Sequence, residues 1–273
     1  KRKIPIILNQ NGVFYPSWFK GDWEKENSKV SKIYHLADYV FWQSNFSKKA
    51  SNKYLGKRLG IGEVLYNAVD TEVFSPKGKY SNDTFTFLIT GNIRKNNNYR
   101  IYAVILALKE VIKINKKIYL KVAGYIEDKI YFLSLINKLN LDNHIYFIDK
   151  YTQNDAPEIY KGVDAYITIT FQDNCPSAVL EAMSCGLPIL YSSSGGIPEL
   201  VDNDSGIGLK VPENWIETEI PSTKDIKDGM LKIIDSRINM SDAARSRAVK
   251  YFDIKDWIRK HNEIFEKIIT LGN

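Results

Sequence analysis

The sequence has few cysteines and histidines, and their scarcity excludes two common frameworks. The two cysteines, Cys175 and Cys185, cannot build a disulfide scaffold and suit a reducing cytoplasm. The three histidines, His35, His144 and His261, are scattered and lack the spacing of zinc ligands. We therefore expect packing or surface roles for all five residues, and no metal site.

Long apolar runs are also missing. No run approaches the ~20 residues that a membrane-spanning helix needs. The 273 residues are 44% hydrophobic and 26% charged, a composition typical of soluble globular proteins of one large or two ordinary domains.

Positive charge is concentrated at the start of the chain. Residues 1–60 hold 12 Lys and Arg against 4 Asp and Glu, whereas the remainder holds 26 against 28. A basic segment suits an anionic membrane surface, a lipid-phosphate acceptor or nucleic acid, and equally a solvated helical face. No nucleic-acid-binding motif accompanies it, so we expect no nucleic acid partner.

From about residue 84, short β-branched runs alternate with amphipathic stretches, which predicts a parallel, doubly wound α/β sheet. The predicted strands are Thr84–Thr90, Ile118–Ala123, His144–Ile148, Ala165–Thr170, Pro188–Tyr191 and Ile207–Val211. The predicted helices are Tyr99–Ile114, Glu127–Leu139, Ala156–Lys161, Ser177–Cys185 and Pro198–Val201.

The preceding segment predicts a smaller unit of the same kind. Its strands are Ile4–Leu8, Tyr39–Trp42 and Glu63–Tyr66, and its helices are Asp22–Leu36 and Asn45–Arg58. Turn formers in Ser75–Asp83 indicate a junction, and residues beyond 222 predict helices only, the last with an apolar face from Trp257 to Ile269. We predict a partial amino-terminal domain at 1–76, a Rossmann-like domain at 77–253 and a returning helix at 254–273.

The most informative stretch runs from Phe171 to Pro188, where a buried strand leads into a helix. Pro176 suits the first helical turn, and Ser177 is placed to accept from a free backbone N–H. The open amides of such a helix start bind phosphate. Asp173 precedes the helix and Glu181 lies one turn inside it, where each carboxylate suits sugar hydroxyls; a local capping role for Glu181 is the alternative.

Two further loops follow predicted strands. Gly195-Gly196 permits positive φ and close approach of a ligand, and Glu199 begins the next helix, where it favours the helix dipole. After the first strand of the domain come three cations, Arg94, Lys95 and Arg100, suited to a diphosphate. Their spacing does not decide which of them faces the cleft.

At these residues the sequence resembles the family 4 glycosyltransferases, retaining enzymes of the GT-B fold. The shared pattern is an acid, seven residues, Glu181-Ala-Met, then Gly-Leu-Pro188 and Gly195-Gly-Ile-Pro-Glu199, with Asp173 as the first acid. Tyr66 to Pro76 resembles the family's junction motif. The resemblance covers nearly the whole chain and implies a complete carboxy-terminal donor-binding domain. Since family members begin with a further strand–helix stretch, we expect part of the amino-terminal domain to be missing.

The resemblance implies that Glu181 binds the ribose hydroxyls of the donor. It implies that Asp173, which is one methylene shorter than the family's Glu, lies near the hydroxyls of the donor sugar. The amides of Ser177, Ala178, Val179 and Leu180 would hold the diphosphate, opposed by Arg94 with Lys95 or Arg100, and Gly195 and Gly196 would lie near the donor. The family's usual Gly-Arg and later Lys-Gly are absent, because Asn92 follows Gly91.

The resemblance implies a retaining transfer from a nucleotide sugar to a glycan or lipid-linked acceptor, in cell-surface polysaccharide synthesis. We expect no cofactor and no obligatory metal, and a cytoplasmic location that includes contact with the inner face of the membrane. A non-catalytic nucleotide-sugar-binding module and a basic nucleic-acid binder are the alternatives.

Overall fold

In a computed structural model, which describes residues 4–76, 78 and 83–272, the chain forms two parallel sheets. The smaller sheet has the order β1-β2-β3, and we call residues 4–66, which carry it, the small lobe. Its strands are β1 (Ile7–Gln10), β2 (Tyr39–Trp42) and β3 (Ile61–Val64), and its helices are α1 (Trp23–Leu36) and α2 (Asn45–Tyr54).

The bounds of three small-lobe elements, β1, β3 and α2, differ from the prediction by two residues or more. β1 and β3 pair in register with β2, Ile7 and Ile61 both lying opposite Tyr39, so the strands start where pairing allows rather than where the apolar runs start. Helix α2 stops at Tyr54, four residues early, because Gly56 adopts a φ of +90°. Of the predicted junction Ser75–Asp83, residues 77 and 79–82 lie outside the described residues.

The larger sheet has six parallel strands in the order β6-β5-β4-β7-β8-β9. We call residues 84–251 the large lobe. Its strands are β4 (Phe85–Thr90), β5 (Ile118–Ala123), β6 (Ile145–Ile148), β7 (Ala165–Thr168), β8 (Ile189–Ser193) and β9 (Gly206–Lys210). Its helices are α3 (Tyr99–Val111), α4 (Lys129–Lys138), α5 (Ala156–Lys161), α6 (Ser177–Ser184), α7 (Ile197–Leu200) and α8 (Thr223–Tyr251).

This strand order creates a switch point between β4 and β7. The chain runs from β4 outward to β6, then crosses back to place β7 on the other side of β4. Loops that leave β4 and β7 at their carboxyl ends therefore diverge, and such a crevice is where open α/β sheets bind ligands. Both loops carry residues that the sequence analysis selected.

The last helix, α9 (Ile254–Gly272), packs on the small lobe. Ile264 and Ile268 form one buried cluster with Tyr39 and Phe41 of β2. Within the described parts of the chain, no helix combines the length and apolar character needed to cross a membrane.

Residues 212–222, which the sequence pattern left unassigned, join the two lobes. Trp215 stacks on Phe46 of α2, with ring centroids 5.3 Å apart and planes at 1°, and meets Tyr15 edge-on at 4.9 Å. Its carbonyl accepts from the Ser17 amide at 3.1 Å. This aromatic anchorage holds the small lobe against the large one and positions the cleft between them.

Candidate functional site

The loop after β4 separates the three candidate cations. Gly91 has a φ of +138°, which turns the chain sharply at the end of the strand. Arg100 falls in the first turn of α3, and its Nη2 donates to the Thr90 carbonyl at 3.2 Å. A Cβ on Gly91 would lie 3.5 Å from that guanidinium, an ordinary contact distance, so the backbone angle and not the cation favours glycine here.

The other two cations are more exposed than Arg100. Lys95 is exposed and lies 3.9 Å from Asp128, while its amide donates to Glu127 at 3.1 Å. Arg94 is exposed at the start of a single 3-10 turn, Lys95–Asn97. The structure therefore brings Arg100 to the switch point, whereas Arg94 and Lys95 are exposed on the loop before it.

Helix α6 starts without a side-chain cap. Pro176 occupies the cap position, and Ser177, expected to accept from a free amide, makes no capping hydrogen bond. The Val179 amide donates to the Pro176 carbonyl at 3.0 Å, which leaves the amides of Ser177 and Ala178 as the open donors. The side chains of Val179 and Leu180 are fully buried and fix the helix in the core.

Glu181 lies on the surface side of α6, partly exposed, and not in the core. Its Oε2 accepts from the Tyr160 hydroxyl at 2.8 Å and its Oε1 from the Gln153 amide at 3.1 Å. Tyr160 lies 3.3 Å from the hydroxyl of Thr90, which links Glu181 to the end of β4. Two neutral donors orient this carboxylate and leave it room for further hydroxyl donors.

Asp173 lies in the loop before α6, close to Arg100. Burial raises the pKa of its carboxyl above the usual range, and the guanidinium of Arg100 and the amides of Cys175 and Asn174 oppose that rise. A carboxyl group whose pKa is raised by burial, and which lies beside a cation in a cleft, is typical of a functional position.

The loop after β8 makes contacts that the sequence did not reveal. Gly195 has a φ of +68°, and a Cβ on Gly196 would lie 1.8 Å from the Asn174 carbonyl. The glycine pair was expected to let a ligand approach the backbone closely. In the structure it is the chain's own backbone at residues 173–174 that approaches, and the Gly196 amide donates to the Asp173 carbonyl at 2.7 Å. The glycines hold Asp173 in place.

Glu199, expected to favour its own helix dipole, reaches another helix. Its carboxylate accepts from the amides of Asn45 and Phe46, both at 2.8 Å, and so caps α2 of the small lobe. The Tyr66 hydroxyl adds a third contact at 3.1 Å, and burial and Glu199 together raise the pKa of Tyr66 to about 12. Glu199 joins the lobes.

A cavity of about 480 Å³ opens between the lobes in front of Asp173. Its large-lobe side includes Tyr99, Phe171 and Gln172, and its small-lobe side includes Phe14 and Trp18. The sequence analysis did not predict the aromatic residues that line this cavity. It also did not predict that Tyr160 and Gln153 donate hydrogen bonds to Glu181. No local motif could have found them, because they meet only through tertiary packing.

Comparisons with known proteins show the family of the chain and its fold. A model of the family described as glycosyl transferases group 1 matches residues 70–250. The chain is 25% identical over 231 residues to the UDP-Gal:alpha-D-GlcNAc-diphosphoundecaprenol alpha-1,3-galactosyltransferase of Escherichia coli, covering 76% of this chain and 54% of that protein. It is 23% identical over 138 residues to the N-acetyl-alpha-D-glucosaminyl L-malate synthase of Bacillus anthracis, covering 50% and 34%.

Among solved structures, HepE of Anabaena in complex with UDP-glucose superposes with a TM-score of 0.77 and 17% identity, over 96% of this chain and 72% of that one. Such likeness confirms the predicted GT-B-type α/β fold. The chain spans about a third to a half of the length of these two curated relatives.

Proposed function

Because the chain belongs to the glycosyl transferases group 1 family, we propose that it transfers a sugar from a nucleotide-sugar donor to a glycan or lipid-linked acceptor. Its relatives support such a donor, since HepE was solved with UDP-glucose and the Escherichia coli relative is named for UDP-Gal. That relative is also named for a diphosphoundecaprenol-linked acceptor, which supports a role in cell-surface polysaccharide synthesis.

The start of α6 at the switch point carries the proposal. The open amides of Ser177 and Ala178 offer hydrogen bonds to a diphosphate, and the helix dipole favours its negative charge. Arg100 supplies a full positive charge from the neighbouring loop. Glu181 accepts from the ribose hydroxyls, and Asp173 accepts from the donor sugar.

The chemistry follows from where charge develops. When the bond between the sugar and the nucleoside diphosphate breaks, negative charge grows on the phosphate and an oxocarbenium-like sugar forms. Preorganised amides and a guanidinium stabilise that leaving group without reorganising. We propose that they do so without an obligatory metal, and that the sugar is transferred with retention of its anomeric configuration.

We also propose that the protein works in the cytoplasm at the inner face of the membrane. The excess of cations in residues 1–60 favours an anionic lipid surface, and the two cysteines are buried free thiols, as suits a reducing compartment.

Thermal unfolding with UDP-glucose, UDP-galactose and other nucleotide sugars tests the donor site. A donor at 100 times its Kd should stabilise the chain by about 2.7 kcal/mol, which corresponds to several degrees in Tm. Proton NMR of the product formed from an α-linked donor then distinguishes retention, an α product, from inversion. If no nucleotide sugar raised the Tm, the proposal that the start of α6 binds a nucleotide-sugar donor would be wrong.

A further inference from the structure

The two side chains that donate to Glu181 are held with very different firmness. Gln153 is exposed in the loop before α5, where water competes for its amide. Tyr160 lies in α5 and is fully buried, with its ring packed edge-on against Phe74 at a centroid distance of 5.9 Å. Because Tyr160 cannot move without disturbing the core, it is the donor that fixes where Oε2 of Glu181 lies.

The Tyr160 hydroxyl ends a row of three buried hydroxyl groups. It lies 3.3 Å from the hydroxyl of Thr90, which in turn lies 2.9 Å from the hydroxyl of Tyr166 on β7. A carboxylate only accepts, so Tyr160 gives its one hydroxyl proton to Glu181 at 2.8 Å and must accept from Thr90. Thr90 must then accept from Tyr166. All three hydrogen bonds therefore run in one direction, toward the carboxylate, and strengthen one another.

Burial keeps both phenols of this row neutral. It raises the pKa of Tyr160 well above the ordinary tyrosine value, and it raises the pKa of Tyr166 to about 12. An ionised phenol would repel the carboxylate of Glu181, whereas a neutral one donates to it. The row thus holds Glu181 in one orientation throughout the neutral pH range.

Thr90 connects the same row to the cation of the site. Its carbonyl accepts from Nη2 of Arg100 at 3.2 Å, while its hydroxyl contacts Tyr160. One residue at the end of β4 therefore contacts both the guanidinium proposed for the diphosphate and the tyrosine that holds Glu181. The separation of these two charged groups is set by the sheet.

The hydrogen bonds to Glu181 leave a defined capacity for a ligand. A carboxylate offers about four acceptor positions, two on each oxygen. Tyr160 occupies one position on Oε2, and Gln153 occupies one on Oε1. Each oxygen keeps one position, which matches two adjacent hydroxyls that donate to one oxygen each. A nucleotide without ribose hydroxyls would leave both positions unused.

We propose that Tyr160 is a positioning residue that makes the donor site selective for a ribonucleotide. It holds Glu181 so that the carboxylate presents one free acceptor position on each oxygen to the 2′- and 3′-hydroxyls. The inference rests on the proposed function, because it requires that the start of α6 binds a nucleoside diphosphate. It goes further by assigning the selectivity to a buried hydroxyl that does not touch the ligand.

Calorimetry on the whole chain tests the assignment. The probes are UDP, GDP and ADP, each paired with its 2′,3′-dideoxy form. The wild type should bind at least one of the three about 10- to 100-fold more tightly than the dideoxy form. Tyr160→Phe removes one hydroxyl and keeps the ring. It should weaken binding of that nucleotide about tenfold and leave the affinity for the dideoxy form within about twofold of the wild type.

Tyr166→Phe is the matched control. Tyr166 is equally buried and also contacts Thr90, but its described hydrogen bond does not involve Glu181. Its substitution should change either affinity less than about twofold. In a Glu181→Ala background, Tyr160→Phe should likewise change the affinity less than about twofold, because the group that it positions is gone. The Tm of each variant shows that it is folded.

The outcomes separate the inference from the proposed function. If the wild type binds a nucleoside diphosphate but Tyr160→Phe binds it equally well, or loses the same factor for the dideoxy form, the positioning role is wrong and the donor site stands. An equal loss for Tyr166→Phe, or a wild type that does not distinguish the two forms, also overturns it. If none of the three nucleotides binds the wild type, the proposed function fails and the inference with it.

Discussion

The amino-terminal ends of α2 and α6 show how similar sequence features acquire different roles. At α2 the first amides are satisfied by side chains, those of Asn45 and Phe46 by Glu199 and that of Ser47 by Ser44. At α6 no side chain caps the helix. One helix start is therefore a joint between the lobes, and the other stays available for an anion.

The two loops that serve these helix starts divide the work in the same way. The loop after β8, with Gly195, Gly196 and Glu199, contacts the protein itself. The loop after β7 presents Asp173 and leads to Glu181. Substitution of Glu199 should change stability and spare nucleotide affinity, whereas substitution of Glu181 should do the reverse.

Among the substitutions considered, Gly196→Ala should reduce the free energy of unfolding most. The new Cβ would lie 1.8 Å from the Asn174 carbonyl, so the 173–174 backbone must move. We expect a loss of about 3 kcal/mol in the free energy of unfolding, measured by urea denaturation. Gly162→Ala is the control, because its Cβ would meet nothing nearer than 3.4 Å and its φ is −89°. Equal stability of the two variants would show that the glycine pair does not hold the loop.

Glu199→Gln should come next. The substitution removes the charge that caps α2 and keeps the size of the side chain, so we expect a loss of about 2 kcal/mol in unfolding free energy. Nucleotide affinity of the folded fraction should stay within about twofold, measured by calorimetry. A large loss of affinity with normal stability would place Glu199 in the donor site instead.

Arg100→Ala should weaken nucleotide-sugar binding about tenfold, because it removes the one candidate cation that lies beside Gly91 and Asp173. Lys95→Ala is matched to it in charge and should change the affinity less than twofold, roughly the scatter of neutral surface changes. The reverse ranking in a titration with UDP-glucose would mean that the loop after β4 rearranges on binding.

Asp173→Asn should have the smallest effect on the free energy of unfolding. At neutral pH we expect this substitution to increase it rather than to reduce it. Because burial raises the pKa of this carboxyl, the folded state holds its proton more tightly than the unfolded state. Its charge is therefore a penalty on folding at neutral pH, and that penalty disappears as pH falls below the ordinary aspartate pKa.

The asparagine variant should thus have the higher Tm at pH 7 and lose that advantage in acid, while transfer activity falls. A variant that is less stable at pH 7 would show that the attraction between the carboxylate and the Arg100 charge outweighs the cost of burial.

Local pattern was enough to predict most of the large lobe. Strand β5 and helix α5 have the predicted ends, and β4, β6 and β8 differ by one or two residues, because buried parallel strands are apolar throughout. Errors arose where partners decide the ends. Helix α4 begins two residues late because Ile126 bridges to Ile93 and the Glu127 amide donates to the Ile93 carbonyl. Residues 212–222 have no periodicity and gain their structure from contacts with the small lobe.

The candidate site was predictable in its motif and not in its partners. The helix start, Asp173 and Glu181 follow from a strand–loop–helix pattern. The choice among Arg94, Lys95 and Arg100 depends on a 3-10 turn at Lys95–Asn97, which the sequence pattern did not predict and which leaves the first two exposed. Glu199 could not be assigned to α2, because that contact crosses more than 150 residues of chain.

Calorimetry of one nucleotide sugar with the wild type, Glu181→Gln and Glu199→Gln is the most direct test of the account. If the start of α6 binds the donor, Glu181→Gln should bind the nucleotide sugar about 10- to 100-fold more weakly than the wild type. That loss is the affinity that one charged hydrogen bond contributes, and the Tm of the variant should be normal. Glu199→Gln should show near-normal affinity and a lowered Tm. Unchanged affinity of Glu181→Gln would contradict the claim that the start of α6 is the donor site.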